Sequence, residues 1–145
     1  MNKSVMVTVF GKQTSDAESE PIEVTTPGEY YFENGMHCIK YDEIAEGKDQ
    51  ISNILLKAGP DKVEMTRTGF INGELYFSEG KMHTTSYELP FGNIYMTTNT
   101  REMNVAFGED EILIDIDYEL SMNDERISDN IMKIRISNDY NINLN

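Results

Sequence analysis

Arg67, His83 and Tyr87 are the residues whose types and spacing come nearest to composing a site. Strand alternation places Val63, Met65, Arg67, Leu75, Phe77, His83, Thr85 and Tyr87 on one face, because every second side chain of a strand points the same way. That face is mostly apolar. A guanidinium there is costly unless it meets a carboxylate, backbone carbonyls or an anionic ligand. Two outcomes stay open: an internal salt bridge (or escape past a rim), and recognition of a small molecule. In the second, Arg67, His83 and Tyr87 supply polar contacts while Met65, Leu75 and Phe77 form the wall. His83 and Tyr87 are four strand positions apart, about 13 Å between Cα atoms, too far for a directly bonded acid–base pair. They would flank a ligand, or else be a hydrogen-bonded core histidine and a rim tyrosine.

Other constellations carry less. Asp115, Asp117 and Glu119 form an acidic ladder on a strand, but an EF-hand would need Gly at Leu120 and Glu at Arg126. A solvated sheet face accounts for them. The single Cys38 with His37 and His83 lacks zinc-ligand spacing, and Cys38 shares no strand face with its neighbour His37. There is no phosphate loop, no serine-nucleophile elbow, and no nucleophile with an assembled base. No catalytic residue, metal or cofactor is expected, and an enzyme ranks last among the functional classes.

The elements that must position these side chains are strands. Ile112, Ile114, Ile116, Tyr118 and Leu120 alternate with Leu113, Asp115, Asp117 and Glu119. Comparable runs are Val5–Phe10, Tyr30–Phe32, His37–Tyr41, Ile51–Leu56, Lys62–Arg67, Glu74–Phe77, Met82–Tyr87, Asn93–Thr97, Met103–Phe107 and Ile131–Ile136. Only Asp42–Leu56 is loose enough to admit a short helix, and Lys12–Glu20 reads as a solvated loop. Hairpin turns are expected at Asn34-Gly35, Asn72-Gly73, Glu79-Gly80 and Pro90-Phe91-Gly92, where Gly accepts positive φ. Three-residue turns at Asn72 and Glu79 would set Arg67 opposite Phe77, Gly69 opposite Leu75, and Leu75 opposite His83. A two-residue type I′ turn at Asn72-Gly73 is the alternative.

Many short strands need their edges removed, and closure does so. The fold class expected is all-β: a single antiparallel, mostly meander barrel spanning 1–137, with a polar tail at 138–145. An open sandwich shares the same alternation. The 145 residues suit one domain. Twelve Lys and Arg face 26 Asp and Glu, a net charge of −14 that argues against nucleic acid or anionic membrane as partner. One cysteine, a Met1–Phe10 stretch too short and broken for a signal peptide, and no apolar run of membrane length give a cytoplasmic expectation.

Arg67-Thr68-Gly69, Phe77-Ser78-Glu79-Gly80-Lys81-Met82-His83 and Tyr87-Glu88-Leu89-Pro90-Phe91-Gly92 resemble the YwiB-like family. The similarity runs from about the first strand to Ile131–Ile136 and is sharpest over Arg67–Gly92. It departs at Leu89, where a Thr is expected before the Pro. The resemblance implies a calycin-type, lipocalin-like β-barrel from a bacterial, cytoplasmic protein of unknown function, and no reaction. The chain has no Trp and so lacks the Gly-x-Trp of true lipocalins.

The leading functional expectation is a barrel that binds a small, partly apolar or anionic ligand in a cavity beside Arg67. The alternative is a protein–protein or self-associating module, a homo-oligomer included, using apolar residues that alternation would expose: Met82, Ile94, Met96 and Leu113.

Overall fold

The period-two pattern is realised in ten strands of a computed structural model that describes residues 3–14, 21–44 and 51–138. They are β1 (Lys3–Thr14), β2 (Ile22–Glu33), β3 (Met36–Ile44), β4 (Ile51–Ala58), β5 (Val63–Gly69), β6 (Gly73–Phe77), β7 (Met82–Leu89), β8 (Gly92–Phe107), β9 (Glu111–Met122) and β10 (Glu125–Asn138). All pairings are antiparallel, in the order β6-β5-β4-β3-β2-β1-β10-β9-β8-β7. Two meanders are thus welded by the β1–β10 ladder, and β6 and β7 are left as the two edges.

Those edges come together without a ladder, and the sheet becomes a nearly closed barrel. Asn72 and Glu88 form an isolated bridge. The Thr98 hydroxyl donates to the Tyr76 carbonyl at 2.6 Å, and the Thr85 hydroxyl to the Glu74 carbonyl. Gly80 N–H adds a bond to Thr100 O at 2.8 Å. Side-chain hydroxyls therefore satisfy carbonyls on the β6 edge that a neighbouring strand would otherwise take. Gly73 makes the close approach feasible, since a Cβ there would lie 2.3 Å from the Tyr87 ring.

Inside, Val7, Ile39, Ile54, Leu56, Met65, Phe77, Ile114, Ile116 and Ile134 pack an apolar middle. The expected inner face is observed, but its register is different. Arg67 pairs with Gly73, Met65 with Leu75 and Val63 with Phe77, so Arg67 is not opposite Phe77, and Leu75 has no ladder partner at His83. The shift is an even number of residues, so every side chain keeps its face. The physical cause is the turn. Asn72 closes Gly69–Asn72 by bonding the Gly69 N–H and carbonyl with its side chain, and Gly73 is already a strand residue. Gly69, at φ 124°, supplies the positive angle instead.

The hairpin turn expected at Asn34-Gly35 is observed as a two-residue loop, both residues at positive φ. Gly80 also has positive φ, but Glu79-Gly80 turns the chain across the seam and not into a hairpin. Pro90-Phe91 is enclosed by the Leu89–Gly92 pair. A further turn, Asn123-Asp124, joins β9 to β10 with both residues at positive φ.

Asn93–Thr97 and Met103–Phe107 are one strand, β8. A bulge between Thr100 and Glu102 shifts its phase, so Ile94 and Met96 face inward as Met103 and Val105 do. Both had been expected on the outside; Met82 and Leu113 are indeed exposed. Lys12–Thr14 continue β1 and are not loop, while β3 and β4 claim Asp42–Ile44 and Ile51–Leu56 in place of a helix. Residues 15–20 and 45–50 of those two segments lie outside the described residues. Asn138 ends β10 with its side chain bonded to Asp110, and the rest of the tail is not described.

Candidate functional site

Arg67 points inward near one end of the barrel. Its Nε and Nη2 donate to both carboxylate oxygens of Glu43 at 2.9 and 3.2 Å, and its Nη1 donates to the Tyr87 hydroxyl at 2.8 Å. The Arg67 side chain is 19% exposed and that of Glu43 41%. Burial alone would lower the Arg67 pKa, but the Glu43 hydrogen bonds and the nearby Tyr87 outweigh it, and the net shift is upward. Burial raises Tyr87, with Arg67 opposing; Tyr41 and Tyr118, which also feel the guanidinium, are pushed up to about 12 by burial. The group is one fixed cation held by a carboxylate and surrounded by three protonated phenols.

Of the residues expected here, Arg67 and Tyr87 meet directly, and Met65, Leu75 and Phe77 pack the core beneath them. His83 belongs to another part of the seam. Its ring stands edge-on to Tyr76 at 5.9 Å, and its Nε2 is buried with no hydrogen-bond partner among the described residues. Glu43, Tyr41 and Tyr118 were not singled out from sequence. Tyr118 was legible, lying in phase with Ile112, Ile114 and Ile116. Glu43 lay in the stretch that admitted a helix.

The wall near Arg67 is incomplete. β2 pairs with β3 only as far as Gly28–Tyr41, and the next residue along, Pro27, has no N–H to offer a ladder. Beyond it, among the described residues, β2 follows β1 alone, pairing Val24 with Val9 and Ile22 with Gly11. Val9 packs on the core, so Val24 and Ile22 face inward too, yet they are 52% and 67% exposed. An open cleft of about 820 Å³ lies over β2–β5 and is lined mostly by side chains of the outer face, Pro27, Glu29, Lys40, Asp42, Asn53 and Thr66 among them. A smaller hollow of about 230 Å³ is bounded by Val9, Gly11, Ile22, Tyr118, Asn130 and Met132.

The opposite end holds an aromatic cluster. The His37 ring stacks on Phe107 with centroids 4.3 Å apart, meets the edge of Phe32 at 5.0 Å, and shares a 2.7 Å hydrogen bond with the Tyr30 hydroxyl. Lys3, Glu109, Asp110 and Glu111 line the 80 Å³ recess beside it. Burial lowers the His37 pKa from 6.5. The unfolded chain therefore binds this proton first. Stability supplied by neutral His37 is present above about pH 6.5 and is lost as pH falls below it, towards the lower folded value. Melting temperatures measured between roughly pH 7 and 5 should fall, and His37→Gln should make that limb shallower. Equal slopes for the two proteins would remove His37 as the cause.

On the outer surface, Arg101 bridges Asp117 and Asp129, and Arg126 bridges Glu119 and Asp129. The acidic ladder is thus laced by arginines. No cluster of metal-ligating side chains occurs among the described residues, and none of their elements is a helix able to cross a membrane. Cys38 is buried and its thiol pKa is raised, chiefly by burial.

Comparison with known proteins agrees with this architecture. A protein described as "Uncharacterized beta-barrel protein YwiB", from Bacillus subtilis (strain 168), is 26% identical over 129 residues, covering 87% of this chain and 89% of that protein. The solved structure titled "Crystal structure of ywiB protein from Bacillus subtilis" superposes with a TM-score of 0.83 at 20% identity, over 94% of this chain and 92% of that one. Residues 7–134 match the model of the family described as "Domain of unknown function (DUF1934)", and with most of its length so matched the chain belongs to that family of β-barrel proteins.

Proposed function

We propose that the protein is a cytoplasmic binding module that takes a small, partly apolar, uncharged molecule at the open mouth of its barrel, much as lipocalin-like barrels are used from one end. The observation that carries this reading is the inward yet exposed pair Ile22 and Val24, an apolar wall on which nothing among the described residues is packed. Transfer of a ligand's apolar part onto Val24, Ile22 and Val9 would remove that surface from water. Arg67 keeps two N–H groups beyond the three used by Glu43 and Tyr87, which suits them to a neutral acceptor. An anionic ligand fits poorly, because Glu43 already balances the guanidinium and the chain carries a net charge of −14.

Nile red, a neutral apolar dye, serves as the probe. Its fluorescence should rise and shift to the blue on addition of the protein, and Val24→Asp should weaken binding about tenfold while Leu113→Asp, on the outer face, leaves it unchanged. Absence of binding, or equal loss in both variants, would overturn the reading.

A further inference from the structure

The seam that closes the barrel leaves part of β7 without a partner strand. The N–H and carbonyl of one strand residue point to the same side, and the side alternates along the chain. Glu88 spends both groups across the seam on Asn72, at 2.7 and 3.1 Å. Ser86, Thr84 and Met82 are in the same phase, so their backbone groups also face that side, away from β8. Below the Asn72 bridge, β7 and β6 meet through the Thr85 hydroxyl and not through backbone bonds. Ser86, Thr84 and Met82 are all exposed, Met82 at 65%. Among the described residues these backbone groups have no hydrogen-bond partner, which leaves a length of β7 edge with free donors and acceptors.

Beside it runs a groove of about 440 Å³, lined by Thr66, Thr68, Glu74, Thr85, Ser86 and Glu88. Arg67 also borders it, but Glu43 neutralises that charge. Among the described residues neither Glu74 nor Glu88 is ion-paired; the Glu74 carboxylate accepts a hydrogen bond from the Tyr76 hydroxyl. The groove is thus acidic and walled by small hydroxyl residues. It lies on a strongly acidic protein that should repel a second copy of itself.

We propose that the Met82–Ser86 edge of β7 is a docking site for an extended, basic peptide segment of another protein, which adds antiparallel to β7 and sets Lys or Arg side chains against Glu74 and Glu88. Backbone bonds to Ser86 and Thr84 would supply most of the affinity, and the two carboxylates the preference for cations. The site is separate from the barrel mouth and stands independently of it.

A fluorescein-labelled heptapeptide of alternating lysine and valine tests the proposal by anisotropy on the full chain. Ser86→Pro removes one edge donor at a position whose N–H faces away from β8, where proline is compatible with a strand. It should weaken binding about tenfold with the melting temperature held. Glu88→Gln should weaken binding and flatten its salt dependence. The same peptide N-methylated on alternate residues keeps the charge but cannot complete a ladder, and should fail to bind. If the N-methylated peptide binds as well as the parent, the attraction is charge alone and the proposal falls. It also falls if Ser86→Pro stays folded and binds normally. Should Ser86→Pro unfold, the N-methylated peptide decides the matter. A dimer seen by light scattering without peptide, and abolished by Ser86→Pro or Glu88→Lys, would give the edge to a second copy and overturn the basic-peptide assignment.

Discussion

Replacing Glu43 by Gln should cost about 2–4 kcal/mol of unfolding free energy, an unusual loss for one partly exposed carboxylate. The reason lies with its partner. Arg67 is mostly buried, and Glu43 meets it with both oxygens. Without the carboxylate the guanidinium keeps its charge while the Gln amide can accept only one of the two hydrogen bonds and sets its NH2 against the other donor, so most of the penalty is that of an uncompensated buried cation. The figure is set below the range for fully buried pairs because water reaches Glu43. Paired Glu43→Leu and Arg67→Leu substitutions remove both charges and should recover most of the loss, since apolar replacements of a buried pair are often neutral. Urea titration of the two singles and the double measures this directly. A loss below about 0.5 kcal/mol for Glu43→Gln would mean that Arg67 is hydrated and the pair contributes little.

Phe77→Ala should cost about 3–5 kcal/mol, the usual range for emptying a large aromatic site, and lower the melting temperature by roughly 10–16 °C in a domain of this size. Phe77 is fully buried and packs edge-on to Tyr118 with centroids 4.9 Å apart. It is also an anchor of β6, the shortest strand, whose free edge is held by two threonine hydroxyls and one bridge. The damage should therefore be uneven. Amide exchange should accelerate most in β6 and at the Asn72–Glu88 bridge, and least in the β9–β10 ladder. Uniform acceleration would mean that the seam is no weaker than the rest of the wall.

Much of this was visible in the residues. Ile112–Leu120 announces its buried face by strict alternation, and Asn34-Gly35 its turn by type. The inward placement of Arg67 survived a mistaken register because face depends only on parity. What stayed hidden involves contacts between distant strands. Thr98 and Thr100 are inner-face polar residues that interrupt the apolar pattern of β8; the Thr98 hydroxyl caps a strand edge that no local pattern identifies, while the Thr100 hydroxyl is buried with no hydrogen-bond partner among the described residues. The bulge at Arg101 then inverts the phase, which sent Ile94 and Met96 to the wrong side. Glu43 could be recognised only once β3 and β5 had been brought to either side of β4. The open mouth depends on Pro27 ending one ladder while continuing another, a distinction that requires knowing which strands flank it.

The weld between β1 and β10 carries a consequence for how the chain reaches this state. Ten residue pairs join Val5–Thr14 to Asp129–Asn138, so β1 must wait for β10 to be made. During synthesis β1 to β6 can zip locally, but one side of β1 stays bare until β10 has emerged. The interval is long in loop-closure terms and exposes Val5 and Val7 meanwhile. Folding should be slow for the chain's size, with its greatest hazard of misassembly in the interval before β10 joins β1.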